Sequence, residues 1–198
     1  MPLLPLEEYI SLAEKAHGHL CAGQILGVRL GIHGLQLLGL DDPLGAHRKR
    51  LITCVEIDRC ATDAIGVVTG CRLGKRALKF FDFGKMAATF CDLESGRAVR
   101  VVALESSKQR AQEMFPEIEA RNLREMEAYR RLPDAELFSH QWVNVPVGPD
   151  DLPGFKSARV ECATCGERVS FNRQVEQGGV TLCRACAGQR YYEVLEKF

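Results

Sequence analysis

The stretch CATCGERVSFNRQVEQGGVTLCRAC, residues 162–186, sets the architecture, because it marks off a small metal-bound module from everything before it. Cys162-Ala-Thr-Cys165 and Cys183-Arg-Ala-Cys186 are two CxxC knuckles with seventeen residues between them. Two thiolates separated by two residues can grip one ion from a tight turn, and two such turns complete a tetrahedron of sulfur. Between the knuckles, Val169–Val175 and Val180–Leu182 read as two strands around the turn Gln177-Gly178-Gly179. A segment of this length and polarity, roughly Ala158 to Phe198, has too little apolar surface to fold without the ion. The expectation is a zinc ribbon with a structural Zn2+ on Cys162, Cys165, Cys183 and Cys186, a closed site with no open position. Iron in the same cage and two separate redox pairs are the competing readings.

Working outward, the 198-residue chain of 22.0 kDa has room for one good core beside this module. It carries 26 Lys+Arg and 26 Asp+Glu, so its balanced charge argues against a whole-chain drive onto nucleic acid or anionic membrane. Arg168, Arg173, Arg184 and Arg190 in the module leave a nucleic-acid-binding ribbon as an alternative, although the charge there is mixed. The start, MPLLPLEE, lacks the features of a signal peptide, and no apolar run is long enough to span a bilayer. A cytoplasmic protein is expected. In a reducing compartment its nine cysteines point to metal or thiolate chemistry rather than disulfides.

Upstream, residues 6–16 have the spacing of an amphipathic helix with Tyr9, Ile10 and Ala13 on one face. A second helix is predicted from about Cys21 to Leu38. Its glycines Gly23, Gly27, Gly31 and Gly34 each cost about 1 kcal/mol relative to alanine, so it should be buried with another backbone packed closely on it. Leu51–Ile57 is a strand candidate, Arg59–Val68 a short helix, and Ala77–Phe83 and Lys85–Asp92 two more strands. Glu94-Ser95-Gly96 turns into Ala98–Leu104, the clearest hairpin. Ser107–Leu132 is helical with a break at Pro116. Residues 133–157 are rich in proline, with a strand at Gln141–Val147, and otherwise read as a linker. The fold class expected is α+β, with helices on a mainly antiparallel sheet over residues 1–150 and the ribbon at 158–198.

A second concentration of chemistry is His17-Gly-His19-Leu-Cys21, with three potential ligands at a loop-to-helix junction. A cysteine at a helix N-terminus has its thiolate stabilised by free N–H groups and the helix dipole. The competing reading makes the histidines helix caps and Cys21 a small buried hydrophobe. The segment Glu56–Lys75 adds Asp58, Cys60, Asp63, Thr69, Cys71 and Lys75 at strand and helix ends, where Asp58 or Asp63 could equally cap a helix and Lys75 be a solvated charge. Cys54 and Cys91 lie in strand patterns among apolar neighbours and read as core.

HGHLCAGQILGVRLG at 17–31, RCATDAIGVVTGCRLGK at 59–75, FDFGKMAATF at 81–90 and the double knuckle together resemble the FmdE-like family, named for the E component of formylmethanofuran dehydrogenase. The likeness leaves 105–157 uncovered, and Ala22 stands where that family would be expected to have proline. The resemblance implies an α+β core with an appended zinc finger, commonly in a homodimer. It also implies that His17, His19, Cys21, Cys60, Asp63, Thr69, Cys71 and Lys75 converge on one pocket. The parent enzyme of the family is a molybdenum or tungsten pterin complex that reduces CO2 to a formyl group on methanofuran. Nothing in this chain looks like a pterin domain, so it is not expected to run that reaction alone.

Three functions follow as expectations. In the first, a divalent metal, Zn2+ by preference, sits in the core on His19, Cys21 and Cys60, with His17 as fourth ligand or as a group holding another ligand. Asp63, Lys75 and Cys71 are then the candidate catalytic groups. In the second, the protein is a non-enzymatic accessory or metal-handling partner of a molybdenum or tungsten enzyme. In the third, it is a nucleic-acid-binding ribbon protein.

Overall fold

The structure, a computed structural model, describes residues 2–196; Met1, Lys197 and Phe198, the extreme ends of the two expected domains, lie outside it. Close contacts divide the chain into two units, Met1–Pro146 and Val147–Phe198.

In the first unit, α1 (Leu6–His17) starts after Pro5, whose fixed φ and missing N–H suit a helix start. It stops at Gly18, whose φ of +96° lets the chain leave the helix within one residue and turn back. Then α2 (Ala22–Leu38) follows, and its buried residues occur around the whole helix. After β1 (Leu51–Val55) comes α3 (Cys60–Thr69), then β2 (Leu78–Phe80), β3 (Ala87–Asp92) and β4 (Ala98–Ala103). Helices α4 (Ser106–Met114) and α5 (Arg121–Arg131) are separated by a break containing Pro116, and α6 (Asp134–Leu137) leads directly into β5 (Phe138–Val143). The sheet order is β2-β1-β3-β4-β5. All its pairings are antiparallel except β1–β2, a parallel pair joined by the crossover through α3.

The glycines of α2 explain how the layers meet. A Cβ on Gly27 would lie 2.6 Å from the Cα and carbonyl oxygen of Ala61 and 2.9 Å from the Cβ of Ala64, so α3 packs backbone against backbone there. On Gly31 it would meet Val68 at 3.1 Å, and on Gly34 it would overlap the ring of Phe90. Thus α2 presents Gly27 and Gly31 to α3 and Gly34 to the sheet. Phe90, paired with Thr53 and Val99, is fully buried beneath it.

Both ends of α5 are tied to the first half of α2. The Asn122 Oδ1 accepts from the N–H of Ala22 at 3.0 Å. At the C-terminus of α5, Arg29 from the middle of α2 donates to the carbonyls of Tyr129 and Leu132 at 2.7 and 2.8 Å and pairs with Asp134 at 2.6 Å. Three backbone or carboxylate acceptors at a helix C-terminus are what a guanidinium is suited to.

Asp92 closes the β3–β4 hairpin. Arg50 grips its carboxylate through Nε and Nη2 at 3.0 and 2.7 Å, and the hydroxyl of Ser95 donates to it at 2.6 Å. The Arg50 guanidinium foremost holds this carboxyl well below the usual range.

Three expectations need correction. The last strand of the sheet is Phe138–Val143 rather than Gln141–Val147, because Phe138, His140 and Trp142 pair with Ala103, Val101 and Val99, and Pro146 has no N–H for a ladder. The Ala77–Phe83 strand is only three residues of ladder, Leu78–Phe80. In the second unit Val169–Val175 is not continuous. Phe171 and Asn172 adopt φ of 60° and 55°, which splits it into β7 (Arg168–Val169), paired with β6 (Val160–Glu161), and β8 (Val175–Gln177), paired with β9 (Val180–Leu182). Residues 147–157 belong with this unit: Arg173 bonds Asp151 at 2.6 Å and Asn172 bonds Asp150 at 3.2 Å.

Two outcomes are expected. Gly27→Ala should destabilise the first unit by about 2 kcal/mol or more, since backbone cannot give way as a flexible side chain can, whereas Gly74→Ala, in open space, should change stability by less than about 0.5 kcal/mol in urea denaturation. Because Asp92 is depressed in the folded state, its stabilisation is complete above about pH 4 and is lost as pH falls through the folded value. Asp92→Asn should therefore cost about 2 kcal/mol at pH 7, and the gap to wild type should shrink steadily in melts run below pH 4.

Candidate metal centres

The turn at Gly18 and the start of α2 bring three ligands together. The ligand atoms of His17, His19 and Cys21 all lie within 4.8 Å of one another. His17 is the last residue of α1 and Cys21 the N-cap of α2, with extended backbone angles of φ −144° and ψ 167°. The imidazoles of His17 and His19 are tilted against each other with centroids 4.8 Å apart.

Helix α3 supplies the rest of the surroundings. Asp63 Oδ2 lies 2.8 Å from Nδ1 of His17, which requires the proton on Nδ1 and leaves Nε2 with its lone pair. A carboxylate behind an imidazole in this way is the usual support of a metal-bound histidine. Cys60 opens α3 beside Cys21: a Cβ on Gly23 would lie 3.4 Å from the Cys60 Cβ and 3.7 Å from the Cys21 Sγ. Burial first, and then the neighbouring Cys21 thiol, push the Cys60 thiol upward. A cation beside the Cys60 sulfur would relieve that cost. Cys60 borders the three-ligand cluster without belonging to it, among the described residues.

Gln24, one turn into α2, is fully buried, and its Nε2 donates to the carbonyl of Cys60 at 2.7 Å. Its Oε1 has no donor among the described residues. An orphaned acceptor next to the Cys21–Cys60 pair fits a site that receives a bound group. Neither Gln24 nor Asn122 is among the residues expected from sequence; a single amide within the apolar run AGQILG is the signal that was available.

The remaining predicted residues are elsewhere. Thr69 is the last residue of α3, roughly 14 Å along its axis from Cys60, and Cys71 follows two residues later. Thr69 Oγ1 donates to the carbonyl of Ile65 at 2.7 Å and accepts from the N–H of Cys71 at 3.2 Å, which closes the helix. Cys71 is buried with its Sγ 3.4 Å from Thr53 Oγ1, and burial raises its thiol pKa. Both are parts of the core and not of the cluster. Lys75 is exposed on the short turn after it. Asp58 is exposed, whereas Cys54 and Cys91 are buried in the sheet as expected.

A cleft of about 430 Å³ lies alongside, lined by Ala16, Thr62, Asp63, Gly66, Arg72 and Leu73 among others. Asp63 lines the cleft and bonds His17 of the cluster, so the two adjoin through that contact.

In the second unit the four thiols of Cys162, Cys165, Cys183 and Cys186 also lie within 4.8 Å of one another. Cys165 and Cys183 Sγ are 4.0 Å apart. The backbone N–H groups of Cys183 and Cys165 hold the Cys162 thiol down to about 6, while Cys186, crowded first by Cys183, is pushed up to about 12. Four sulfurs this close cannot all ionise unaided, and a dication removes that conflict.

Comparison with known proteins agrees with both halves. The family model described as "FmdE, Molybdenum formylmethanofuran dehydrogenase operon" matches residues 16–139, and that of the prokaryotic dksA/traR C4-type zinc finger matches 155–192. A crystal structure of a tungsten formylmethanofuran dehydrogenase FmdE-like protein from Syntrophus aciditrophicus aligns with a TM-score of 0.63 and 23% identity over 95% of each chain, so it has the same fold. An Archaeoglobus fulgidus protein named "Probable S-adenosyl-L-methionine-binding protein" is 30% identical over 98% of this chain, which spans 56% of that protein's length.

If the four-cysteine cluster organises the second unit, stripping metal with a chelator should collapse the amide NMR dispersion of residues 160–190 and leave that of the β1–β5 sheet in place. Unchanged ribbon resonances in the stripped protein would contradict this.

Proposed function

Because the chain belongs to the FmdE family and carries a C4-type zinc finger, we propose that it is a two-site metalloprotein whose working centre is the His17–His19–Cys21 cluster. The observation that carries this reading is the convergence of those three ligand atoms within 4.8 Å, with Asp63 on His17 and Cys60 beside Cys21. The donor set of imidazole and thiolate suits Zn2+ better than a hard cation. His19 and Cys21 would hold it, with Cys60 or the Nε2 of His17 completing the set. A divalent ion there would supply Lewis-acid polarisation of a bound oxygen. Asp63 keeps the His17 proton on Nδ1, so it is a positioning residue. Lys75, the exposed neighbour of the cleft-lining Gly74, stays a candidate proton-transfer group. The ribbon metal, with all four positions taken by sulfur, is structural.

A second reading, metal handling for a molybdenum or tungsten enzyme, is favoured by one feature: His19 is exposed and the three ligands share a five-residue stretch. Such a site can release its ion without unfolding the core. A homodimer and a cytoplasmic location go with either reading, and the exposed run of Phe80, Phe81 and Phe83 is a surface that a second copy could cover. No helix among the described residues is long and apolar enough to cross a membrane. The nucleic-acid reading has the ribbon arginines in its favour and requires retardation of a duplex in low-salt gels.

Metal analysis of the purified chain should find two equivalents per chain. Cys21→Ser/His19→Ala should retain one, with an unchanged melting midpoint for the core. Two equivalents in that variant would refute the core site. Asp63→Asn should weaken the core metal about 10- to 100-fold in chelator competition, without touching the ribbon ion.

A further inference from the structure

Arg72 is the one arginine whose position in the cleft the metal reading leaves unexplained. It belongs to the short turn that follows Cys71, and its backbone is fixed: its carbonyl accepts from the N–H groups of Lys75 at 3.1 Å and Leu78 at 3.2 Å. Its guanidinium rests over Gly66 of α3, in the space that any side chain at that position would fill. The bonding it finds there is slight. Nη1 donates to the carbonyl of Cys71 at 3.3 Å, and among the described residues Arg72 has no carboxylate partner. Arg29, Arg50, Arg100 and Arg110 are each paired with an Asp or Glu, whereas among the described residues Arg124 and Arg159, like Arg72, bond only carbonyls; Arg72 differs from those two in lining the cleft. A guanidinium offers five N–H donors in a planar fork, and four of them here remain for something else.

The cleft around it carries charge of both signs. Asp63, bonded to His17 of the metal cluster, and Arg72, over Gly66 one helical turn further along α3, both line it, with Lys75 exposed nearby. Val67, Leu73 and Leu78 provide apolar wall, and Gly74 leaves open space where a side chain would stand. A volume of about 430 Å³ is within the range that accepts a small metabolite. A neutral ligand could offer Arg72 only uncharged acceptors, which bind a guanidinium less strongly than an anion does, and a cationic one would meet it unfavourably.

We propose that Arg72 is the anion-recognising residue of this cleft, so that the molecule brought to the core metal is a small carboxylate or phosphate with an apolar body. The proposal rests on the core-metal reading for what happens at the far end, and on the cleft alone for binding. The anionic group takes the guanidinium fork in a two-point contact, the apolar part lies along Leu73 and Val67, and the remaining end is directed toward His17. Gly66 serves this arrangement by leaving the guanidinium its seat.

The test is calorimetric titration of the full, metal-loaded chain with two probes, benzoate and inorganic phosphate. One equivalent of at least one probe should bind saturably, and Arg72→Gln should weaken it tenfold or more. Arg72→Lys, which keeps charge without the fork, should fall between. Stronger benzoate binding identifies a carboxylate as the recognised group, and stronger phosphate binding identifies a phosphate. Neither probe binding to wild type, or equal affinity for wild type and Arg72→Gln, overturns the proposal. Metal content is read on the same samples. Two metals in every sample together with no Arg72 dependence sinks the anion site alone. One metal in the wild type, with binding that still depends on Arg72, sinks the core-metal reading and leaves the anion site standing.

Discussion

The backbone contact between α2 and α3 at Gly27 and Ala61 is what the rest of the first unit depends on. An approach of 2.6 Å to a missing Cβ is possible only where one helix has no side chain at all. It brings the N-terminus of α3 to the N-terminus of α2. Cys60 is thereby set beside Cys21, and Asp63, almost one turn further on, reaches His17. The same helix then turns Gly34 toward Phe90 and seats itself on the sheet. Four glycines cost the isolated helix several kcal/mol in propensity, about 1 kcal/mol each, and the packing they permit has to offset that. A larger residue at Gly27 would separate the helices and pull the ligands of α3 away from those of α2.

The cluster therefore combines a local and a long-range part. His17, His19 and Cys21 are close because five residues of chain around a left-handed glycine bring them together. Asp63 and Cys60 are close only because the helices are. Gln24 joins the two parts through its bond to the Cys60 carbonyl. Asn122, from α5, fixes the first N–H of α2 just behind Cys21. The ribbon, in contrast, is organised by its own four sulfurs, and its strands are only two or three residues long.

Much of this was legible in residue spacing. The two CxxC knuckles require no tertiary knowledge, since each pair is its own turn. The glycine period of α2 announced a close neighbour, because nothing else justifies its cost, but it could not say that the neighbour is α3 rather than a strand. The family resemblance placed the motif TGC at 69–71 in the pocket, yet α3 carries it to the opposite end from Cys60, and Cys71 meets Thr53 in the core. The start of β5 was hidden because α6 runs into Phe138 with no turn residue between them. Arg72 could not be singled out, because an exposed arginine has no signature in sequence. Only its place in the cleft wall, with its guanidinium over Gly66, seen in three dimensions, sets it apart.

The central claim is that the approach of α2 and α3 builds a metal centre in the core distinct from the ribbon's. Anomalous diffraction at the absorption edge of the bound metal tests it most directly. The account predicts two peaks per chain, one within the four ribbon sulfurs and one about 2.0–2.3 Å from the Sγ of Cys21 and a ring nitrogen of His19. A single peak, confined to Cys162, Cys165, Cys183 and Cys186 in fully loaded crystals, would contradict it.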